Sequence, residues 1–203
     1  MDNLIEAVRQ VLDVRGLIQW GGLIGITTIV FVETGLFFGF FLPGDSLMVT
    51  AGILAAAGEL DIRWLLVFPT LAAIIGDQTG YIIGLKAGEA LTDRYPKFKV
   101  HLDRAHAFYE KYGNKTIVLA RFVPIIRTFV PAVAGAARMN YRHFVTYNVL
   151  GGVLWVFSTT LLGYFVGQLI GPERIDRYLH LVIVIVIFLS LLPAYFEWRK
   201  HSK

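Results

Sequence analysis

Cysteine is absent from the 203-residue chain, and charged residues are scarce. Without cysteine the fold depends on neither disulfides nor thiolate-bound metals, and the redox compartment stays open. Only 17% of the residues are charged and 56% are hydrophobic, whereas an ordinary soluble domain has about 25% charged and about 45–50% apolar residues. This composition argues against an ordinary soluble domain and favours an integral membrane protein.

Motifs of enzymes and nucleic-acid-binding proteins are missing as well. No Gly-rich phosphate loop, zinc motif or serine nucleophile elbow occurs. His101, Asp103 and His106 are loosely spaced in a predicted interfacial helix, so we interpret them as solvated rather than metal-binding. The aromatic residues lie in apolar runs rather than among basic patches, which argues against nucleic acid as a partner. We expect no enzymatic activity, no cofactor and no metal, and a membrane phosphatase ranks last for want of a histidine nucleophile.

Long apolar runs make up most of the chain. Because a helix that crosses the hydrocarbon layer needs roughly 20 apolar residues, each run can cross or enter a bilayer. We predict an all-α integral membrane protein with a single membrane domain over residues 20–198. Its segments, with their flanks, are an amphipathic interfacial helix at 1–19 (alternatively a short soluble helix), a re-entrant segment at 20–58, a transmembrane helix at 64–85, a cytoplasmic interfacial segment at 86–115, a re-entrant segment at 116–137, transmembrane helices at 144–171 and 178–198, and a cytoplasmic tail at 199–203.

Prolines interrupt two of these runs. In "FVETGLFFGFFLPGDSLMVTAG", residues 31–52, Pro43 and Gly44 break a run that is about twice as long as one span needs. Only a short helix fits between this break and residue 58, which favours a segment that turns inside the membrane over two full spans. The run "TIVLARFVPIIRTFVPAVAGAA", residues 116–137, contains Pro124, Pro131 and two arginines. We expect both prolines to break it and interpret it as a second re-entrant segment.

The two halves of the chain resemble each other. "GYIIG" at 80–84 and "GYFVG" at 163–167 are 83 residues apart, and so are Ala51-Gly52 and Ala134-Gly135. Each half then consists of a re-entrant segment followed by a transmembrane helix. The alternative is chance similarity, because the identity is thin and the alignment needs gaps.

The basic residues predict an orientation. Lysine and arginine predominate in the 86–115 segment and in the C-terminal tail, which places both in the cytoplasm. The first re-entrant segment then enters from outside and the second from inside. Transporters use such inverted repeats to place a site at the middle of the bilayer.

Four charged residues fall in the two re-entrant segments: Glu33, Asp45, Arg121 and Arg127. A charged side chain at the bilayer centre costs on the order of 2.5–3.5 kcal/mol, so these residues need a reason to be there. One reason is structural, because opposite charges can form ion pairs that lock the two halves together. The other is functional, because arginine binds phosphate oxygens in a bidentate way and helix N-termini favour anions. Carboxylates in the same place can take up and release protons.

Asp77 and a row of glycines lie in the first transmembrane helix, in "GDQTGYIIG". Gly76, Gly80 and Gly84 recur every four residues, which predicts a smooth face for close helix packing. Gly163, Gly167 and Gly171 repeat this pattern in the second half. Asp77 is a secondary site candidate that either lines the cavity or pairs with an arginine.

These motifs together resemble the DedA family, also called SNARE-associated Golgi protein-like or VTT-domain proteins. The resemblance covers roughly residues 20–170 and depends on Glu33 with "FLPGD" at 41–45, on "GDQTGYIIG" at 76–84 and on "RFVPIIRTFVPAVAG" at 121–135. It implies a multi-pass protein of the bacterial inner membrane that moves lipids across the bilayer, with opposed re-entrant hairpins. The acidic pair of the family falls on Glu33 and Asp45 and its essential arginines on Arg121 and Arg127.

We expect a membrane lipid transporter. The resemblance implies undecaprenyl phosphate as the lipid, recycled for cell-wall synthesis and coupled to the proton-motive force. In this hypothesis Arg121 and Arg127 bind the phosphate, Glu33 and Asp45 carry protons, and the partners are membrane lipids and protons. The alternatives are a passive phospholipid scramblase and an assembly protein whose charges form structural ion pairs only.

Overall fold

The computed structural model describes residues 14–36, 44–94 and 115–171. Within these ranges every regular element is a helix, so the predicted all-helical class is confirmed for this part of the chain. The helices are α1 (Val14–Gly35), α2 (Gly44–Ala56), α3 (Ile62–Arg94), α4 (Lys115–Ala120), α5 (Pro124–Ala136) and α6 (Tyr141–Ile170). The predictions for residues 1–13, Pro43, residues 95–114, the helix at 178–198 and the tail lie outside the described residues.

α1 is apolar but not straight. At Gly22 the backbone has φ 52° and ψ −146°, a conformation that glycine adopts because it has no Cβ to clash. The hydroxyl of Thr27 donates to the carbonyl of Leu23 at 2.6 Å, which satisfies the hydroxyl within the helix. The helix ends at Gly35, so Glu33 lies in its last turn.

α2 begins at Gly44, directly after the predicted proline break, and is buried almost all round. A helix that is apolar on every face is normally an interior helix. Its 13 residues span about 20 Å at about 1.5 Å per residue, which is less than the roughly 30 Å of the hydrocarbon layer. α2 is therefore too short to cross a bilayer by itself.

α3 and α6 contain the two described segments that are long and apolar enough to cross a membrane, Ile62–Ala90 and Tyr141–Ile170. Each helix starts after a capping side chain. The carboxylate of Asp61 accepts a hydrogen bond from the backbone N–H two residues later at 2.8 Å, and the amide oxygen of Asn140 does the same at 3.0 Å. These caps satisfy backbone donors that have no partner inside the helix.

The chain between α4 and α5 leaves helical geometry at residues 121–123. Pro124 then occupies the start of α5, where a missing N–H costs nothing and the fixed φ suits the helix. We expected a second break at Pro131, but α5 continues through it. A single proline removes one backbone hydrogen bond, and helices in membrane proteins tolerate this loss.

The chain divides into two compact units. In the first unit, residues 1–30, 42–70 and 156–203, α2 packs closely on the C-terminal half of α6. A Cβ at Gly52 would collide with the backbone of Thr160 and Tyr164, and one at Gly163 would collide with the carbonyl of Val49. Gly171, in contrast, has no neighbour within 4 Å and a φ of +79°, so it ends α6 rather than packing against another helix.

In the second unit, residues 31–41 and 71–155, α5 packs on α3 in the same manner. A Cβ at Gly84 would collide with the backbone of Ala132, and one at Gly135 would collide with the carbonyl of Tyr81. The Tyr81 hydroxyl donates to the carbonyl of Met139 at 2.6 Å. These contacts hold the helices that carry the charged residues of this unit.

Candidate functional site

The break before α5 places two arginines in the interior of the second unit. Arg121 lies in the break itself, and Arg127 lies in the first turn of α5, where its N–H donates to the carbonyl of Val123. Their exposed fractions are only 4% and 6%. Because arginine stays charged when it is buried, each of them requires compensation from its surroundings.

Arg127 forms an ion pair with Glu33. Its Nη2 donates to Oε1 of the carboxylate, and Glu33 is 1% exposed. The two residues lie 94 positions apart in the chain. This buried ion pair therefore joins the last turn of α1 to the first turn of α5 within one unit.

Arg121 has a different set of partners. Its Nη2 lies 2.6 Å from Oδ2 of Asp77 and donates to the carbonyl of Ala73 at 3.2 Å. Its Nη1 donates to both the backbone carbonyl and the side-chain oxygen of Asn148, each at 2.9 Å. The Asn148 amide in turn donates to the carbonyl of Ile74 at 3.1 Å. Acceptors on α3 and α6 thus satisfy nearly all of the hydrogen-bond donors of the Arg121 guanidinium.

One face of α6 meets both arginines. Asn148, Gly152 and Trp155 follow one another at spacings of four and three residues, which puts them on the same side of a helix. A Cβ at Gly152 would lie 3.1 Å from Nη1 of Arg121, so glycine leaves the space that this guanidinium fills. Trp155 is 1% exposed, and the guanidinium carbon of Arg127 lies 4.6 Å from the centroid of its ring.

Sequence reasoning did not identify Asn148 and Trp155. Both lie in a long run without any charged residue, which we treated as a plain transmembrane helix. The available signal was the pattern of a polar residue, two glycines and a tryptophan on one helix face at 148, 151, 152 and 155.

Among the described residues of this unit, four buried charged side chains form one electrostatic cluster. Asp77 is attracted by the charge of Arg127 as well as by that of Arg121. Arg121 is in turn attracted by Glu33 as well as by Asp77, and it is repelled by Arg127. Two cations and two anions sum to zero when all are ionised. We refer to Glu33, Asp77, Arg121 and Arg127 below as the charge cluster.

Asp45 belongs to the other unit. It lies in the first turn of α2 and is half-buried, next to the buried Ser46. An acidic residue in a first turn is favourable for a helix because it faces the positive end of the helix dipole. Among the residues that the structure describes, no group of three or more histidines and carboxylates could hold a metal ion.

Comparison with known proteins identifies the class of this protein. Residues 42–165 match the VTT domain, a stretch that includes Asp45 and three members of the charge cluster. Together with the two long apolar helices, this match defines a membrane protein of the VTT-domain class, helical throughout the regular elements of its described residues.

The curated relatives specify the family. Protein DedA of Escherichia coli K12 is 46% identical over 181 residues, covering 86% of this chain and 81% of the relative. An uncharacterised membrane protein of Mycobacterium tuberculosis H37Rv is 42% identical over 205 residues, covering 96% and 88%. Inner membrane protein YqjA of Escherichia coli K12 is 36% identical over 145 residues, covering 69% and 65%. The chain therefore belongs to the DedA family of membrane proteins. No solved structure matches it.

Proposed function

We propose that this protein translocates a phosphate-headed lipid, undecaprenyl phosphate, across the bacterial inner membrane and uses the proton-motive force to do so. The observation that carries the proposal is the buried ion pair between Glu33 and Arg127. A protein that needed only stability would gain little from such a pair, since apolar residues of similar volume often stabilise a core equally well. A buried arginine beside a titratable acid is suited to binding an anion reversibly.

The proposed mechanism exchanges one anion for another on Arg127. When Glu33 takes up a proton, its negative charge is lost and its hold on the guanidinium weakens. The lipid phosphate then replaces the carboxylate on Arg127. When Glu33 releases the proton on the other side, the carboxylate competes with the phosphate and displaces it. Proton uptake by Glu33 thus favours binding of the headgroup, and proton release favours its dissociation. Headgroup binding therefore depends on the side of the membrane from which the proton comes.

The other predicted residues have supporting roles in this proposal. Arg121, held by Asp77 and Asn148, keeps positive charge close to the bound phosphate and can contribute to binding it. Asp77 offsets the charge of Arg121. Asp45 is the second proton carrier, in the first turn of α2.

We also propose the inverted-repeat architecture that the sequence predicts. α2 and α5 have 13 residues each, which suits two helices that enter the bilayer without crossing it. In one unit Gly52 contacts Tyr164, and in the other Gly135 contacts Tyr81. The two glycines are 83 residues apart, and so are the two tyrosines, but the contacts are offset by one helical turn. Gly52 faces the carbonyl of Thr160 and the nitrogen of Tyr164, whereas Gly135 faces the carbonyl of Tyr81 and the nitrogen of Leu85. Such a repeat supports two half-crossing helices that enter from opposite faces.

Reconstitution into liposomes tests this function. The purified protein is assayed for transfer of labelled undecaprenyl phosphate and, separately, of labelled phosphatidylglycerol, each with and without a pH gradient. We expect transfer of undecaprenyl phosphate that the gradient accelerates. The Arg127→Met variant is expected to lose at least about thirtyfold of this activity, because truncating one partner of a desolvated charge pair costs about 2–5 kcal/mol. Equal transfer of both lipids without any effect of the gradient would show a passive scramblase instead.

The second candidate is a structural role for the ion pairs. It is favoured by Arg121, whose guanidinium already has a carboxylate, an amide side chain and backbone carbonyls as partners. It predicts that exchanging the charges, with Glu33→Arg and Arg127→Glu in one protein, restores the function that either single substitution removes. A phosphate-binding arginine predicts no such recovery, because the exchanged cation comes from another helix and from another position.

A further inference from the structure

We propose that Trp155 is the positioning residue that holds the Arg127 guanidinium ready for the lipid phosphate while Glu33 is protonated. This inference deepens the proposed function and rests on it. It assigns a role in headgroup affinity to a residue in the chargeless stretch of α6, where an ordinary lipid-facing or core tryptophan is otherwise expected.

The geometry is the first step. The Arg127 guanidinium carbon lies 4.6 Å from the Trp155 ring centroid, well within the roughly 6 Å over which the ring attracts a cation. Both side chains are buried, with 6% and 1% exposed. Cation–π attraction is strongest where water is excluded, and tryptophan is the best of the aromatic rings for it. The contact is therefore a substantial part of the environment of Arg127.

The second step is what happens when the carboxylate is neutralised. Arg127 then loses the attraction of the Glu33 carboxylate, which weakens the restraint on its long side chain, and restoring a single rotamer entails an entropic cost. The ring of Trp155 carries no titratable group, so its attraction for the guanidinium is the same in both protonation states of Glu33. Trp155 thus keeps the cation in place during the interval in which the phosphate must arrive.

The third step concerns selectivity. The face of an aromatic ring is the negative end of its quadrupole, so it attracts the cation but repels an anion. An incoming phosphate is excluded from the side of Arg127 that the ring covers. The side occupied by Glu33 remains, which is where exchange with the carboxylate takes place. Trp155 therefore favours exchange over simultaneous binding of both anions.

The local sequence supports this assignment. Asn148 and Gly152 on the same face of α6 contact Arg121, and Trp155 contacts Arg127 one turn further on. A single helix face thus positions both arginines, one by hydrogen bonds and the other by a ring. The two modes differ in kind, because hydrogen bonds occupy the donors of a guanidinium, whereas a ring attracts its charge.

Transport kinetics and fluorescence test the inference together. The chain has four tryptophans, and replacing Trp20, Trp64 and Trp198 by phenylalanine leaves Trp155 as the only indole emitter. In phosphatidylcholine liposomes we expect the emission of this protein to change saturably as undecaprenyl phosphate is added. The Arg127→Met substitution should change the emission of the lipid-free protein and abolish the response to added lipid.

Two substitutions at position 155 then separate affinity from turnover. Trp155→Leu is expected to raise the half-saturating concentration of undecaprenyl phosphate about tenfold and to change the maximal rate less than about twofold, because it removes the ring but not the charges. Trp155→Phe, with a weaker ring, is expected to raise the half-saturating concentration about threefold. The matched control is Trp64→Leu in α3, since Trp64 is 53% exposed and its ring lies 5.5 Å from that of Phe68. It should leave both parameters unchanged.

The outcomes are distinct. A normal half-saturating concentration in both Trp155 variants, in a parent that transports the lipid, overturns the positioning role and leaves the proposed function standing. A parent that neither transports undecaprenyl phosphate nor changes its Trp155 emission overturns both. If Trp155→Leu does not insert, the Trp155→Phe variant decides, since it retains a ring of similar shape.

Discussion

Arg121 and Arg127 are six positions apart, yet their surroundings differ in kind. Arg121 contacts a carboxylate, an amide side chain and two backbone carbonyls, so it is held by two helices, α3 and α6. The contacts of Arg127 include the Glu33 carboxylate, through Nη2, and the ring of Trp155. Arg121 keeps the backbone carbonyls and the Asn148 side chain as partners even when Asp77 is protonated, whereas the ion pair of Arg127 is lost when Glu33 is protonated. This difference suggests that Arg121 serves mainly as a fixed charge and Arg127 as the exchangeable one.

The first prediction concerns the stability that Arg121 provides. Replacing Asp77 by asparagine leaves the buried guanidinium without its counter-charge, and breaking a buried pair in this way costs about 3–5 kcal/mol. We expect a clear drop in the thermal unfolding midpoint of the purified protein in detergent. The double variant with Asp77→Leu and Arg121→Met should recover most of the loss, because it leaves no uncompensated charge.

An exposed ion pair in the same unit is the matched control. Arg138 and Glu89 lie 3.2 Å apart with side chains 69% and 50% exposed. Surface pairs of this kind contribute about 0–1 kcal/mol, so Glu89→Gln should hardly move the midpoint. Equal effects of Asp77→Asn and Glu89→Gln would contradict a structural role for the Asp77–Arg121 pair.

The second prediction concerns the protonation of Glu33. Glutamine has nearly the same size but carries no charge, so Glu33→Gln mimics a permanently protonated residue. We expect this variant to bind undecaprenyl phosphate but to lose the acceleration of transport by a pH gradient. The measurement is the ratio of transfer rates with and without the gradient. The exposed Glu59 supplies the control, because Glu59→Gln should keep the ratio of the parent protein.

At the scale of the helices, close contacts between small residues determine which elements meet. α5 lies against α3 where Gly84 and Gly135 each face the backbone of the other helix. α2 lies against α6 through Gly52 and Gly163 in the same way. Helices in membranes have no hydrophobic force to bring them together and associate instead through close packing and hydrogen bonds. The glycines therefore have a large share in holding the charged residues of α3 and α5 in place.

The third prediction tests this packing. Gly135→Ala is expected to lower stability by about 1–3 kcal/mol, the usual cost of forcing extra atoms into a packed core, because its new Cβ would meet the backbone of α3 rather than a flexible side chain. Gly21→Ala is the control, since nothing lies within 4 Å of a Cβ placed there. The thermal unfolding midpoints of both variants give the comparison. A loss that is as large for Gly21→Ala as for Gly135→Ala would rule out packing as the cause.

The sequence predicts the helices better than it predicts the side-chain contacts between them. Apolar length indicated α3 and α6, and Pro43-Gly44 indicated the start of α2, because these signals are local. The effect of Pro131 was predicted wrongly, since a proline inside a helix is tolerated when its neighbours compensate for the lost hydrogen bond. The pairing of Glu33 with Arg127 and of Asp77 with Arg121 depends on how distant helices meet, and no local pattern contains this information. Trp155 was missed because its signal, the helix face that it shares with Asn148 and two glycines, does not reveal the residue that it contacts.

At the scale of the whole molecule, the central hypothesis is that two short helices enter the bilayer from opposite faces without crossing it. The length of α2, about 20 Å for 13 residues, supports a half-crossing segment. From the charge asymmetry of the sequence we predict that residues 59–63 lie outside and that the region around residue 143 lies in the cytoplasm. A full crossing would instead bring the turn after α1 to the cytoplasmic surface and the turn before α5 to the outer one.

The fourth prediction distinguishes these topologies by thiol labelling, for which the chain is well suited because it has no cysteine. Glu59→Cys should react with a membrane-impermeant maleimide from the outside of intact cells, and His143→Cys only after the cytoplasmic face is opened. Leu36 and Phe122 lie at the two turns and are 41% and 47% exposed. The protein itself therefore does not shield cysteines at these positions, and their labelling depends on which side of the membrane they reach. If both segments are re-entrant, Leu36→Cys is not labelled from the cytoplasmic side and Phe122→Cys is not labelled from outside. Labelling of either cysteine from those sides would mean that its segment spans the bilayer. The charge cluster would then lack the pair of opposed half-crossing helices on which the proposed headgroup pathway depends.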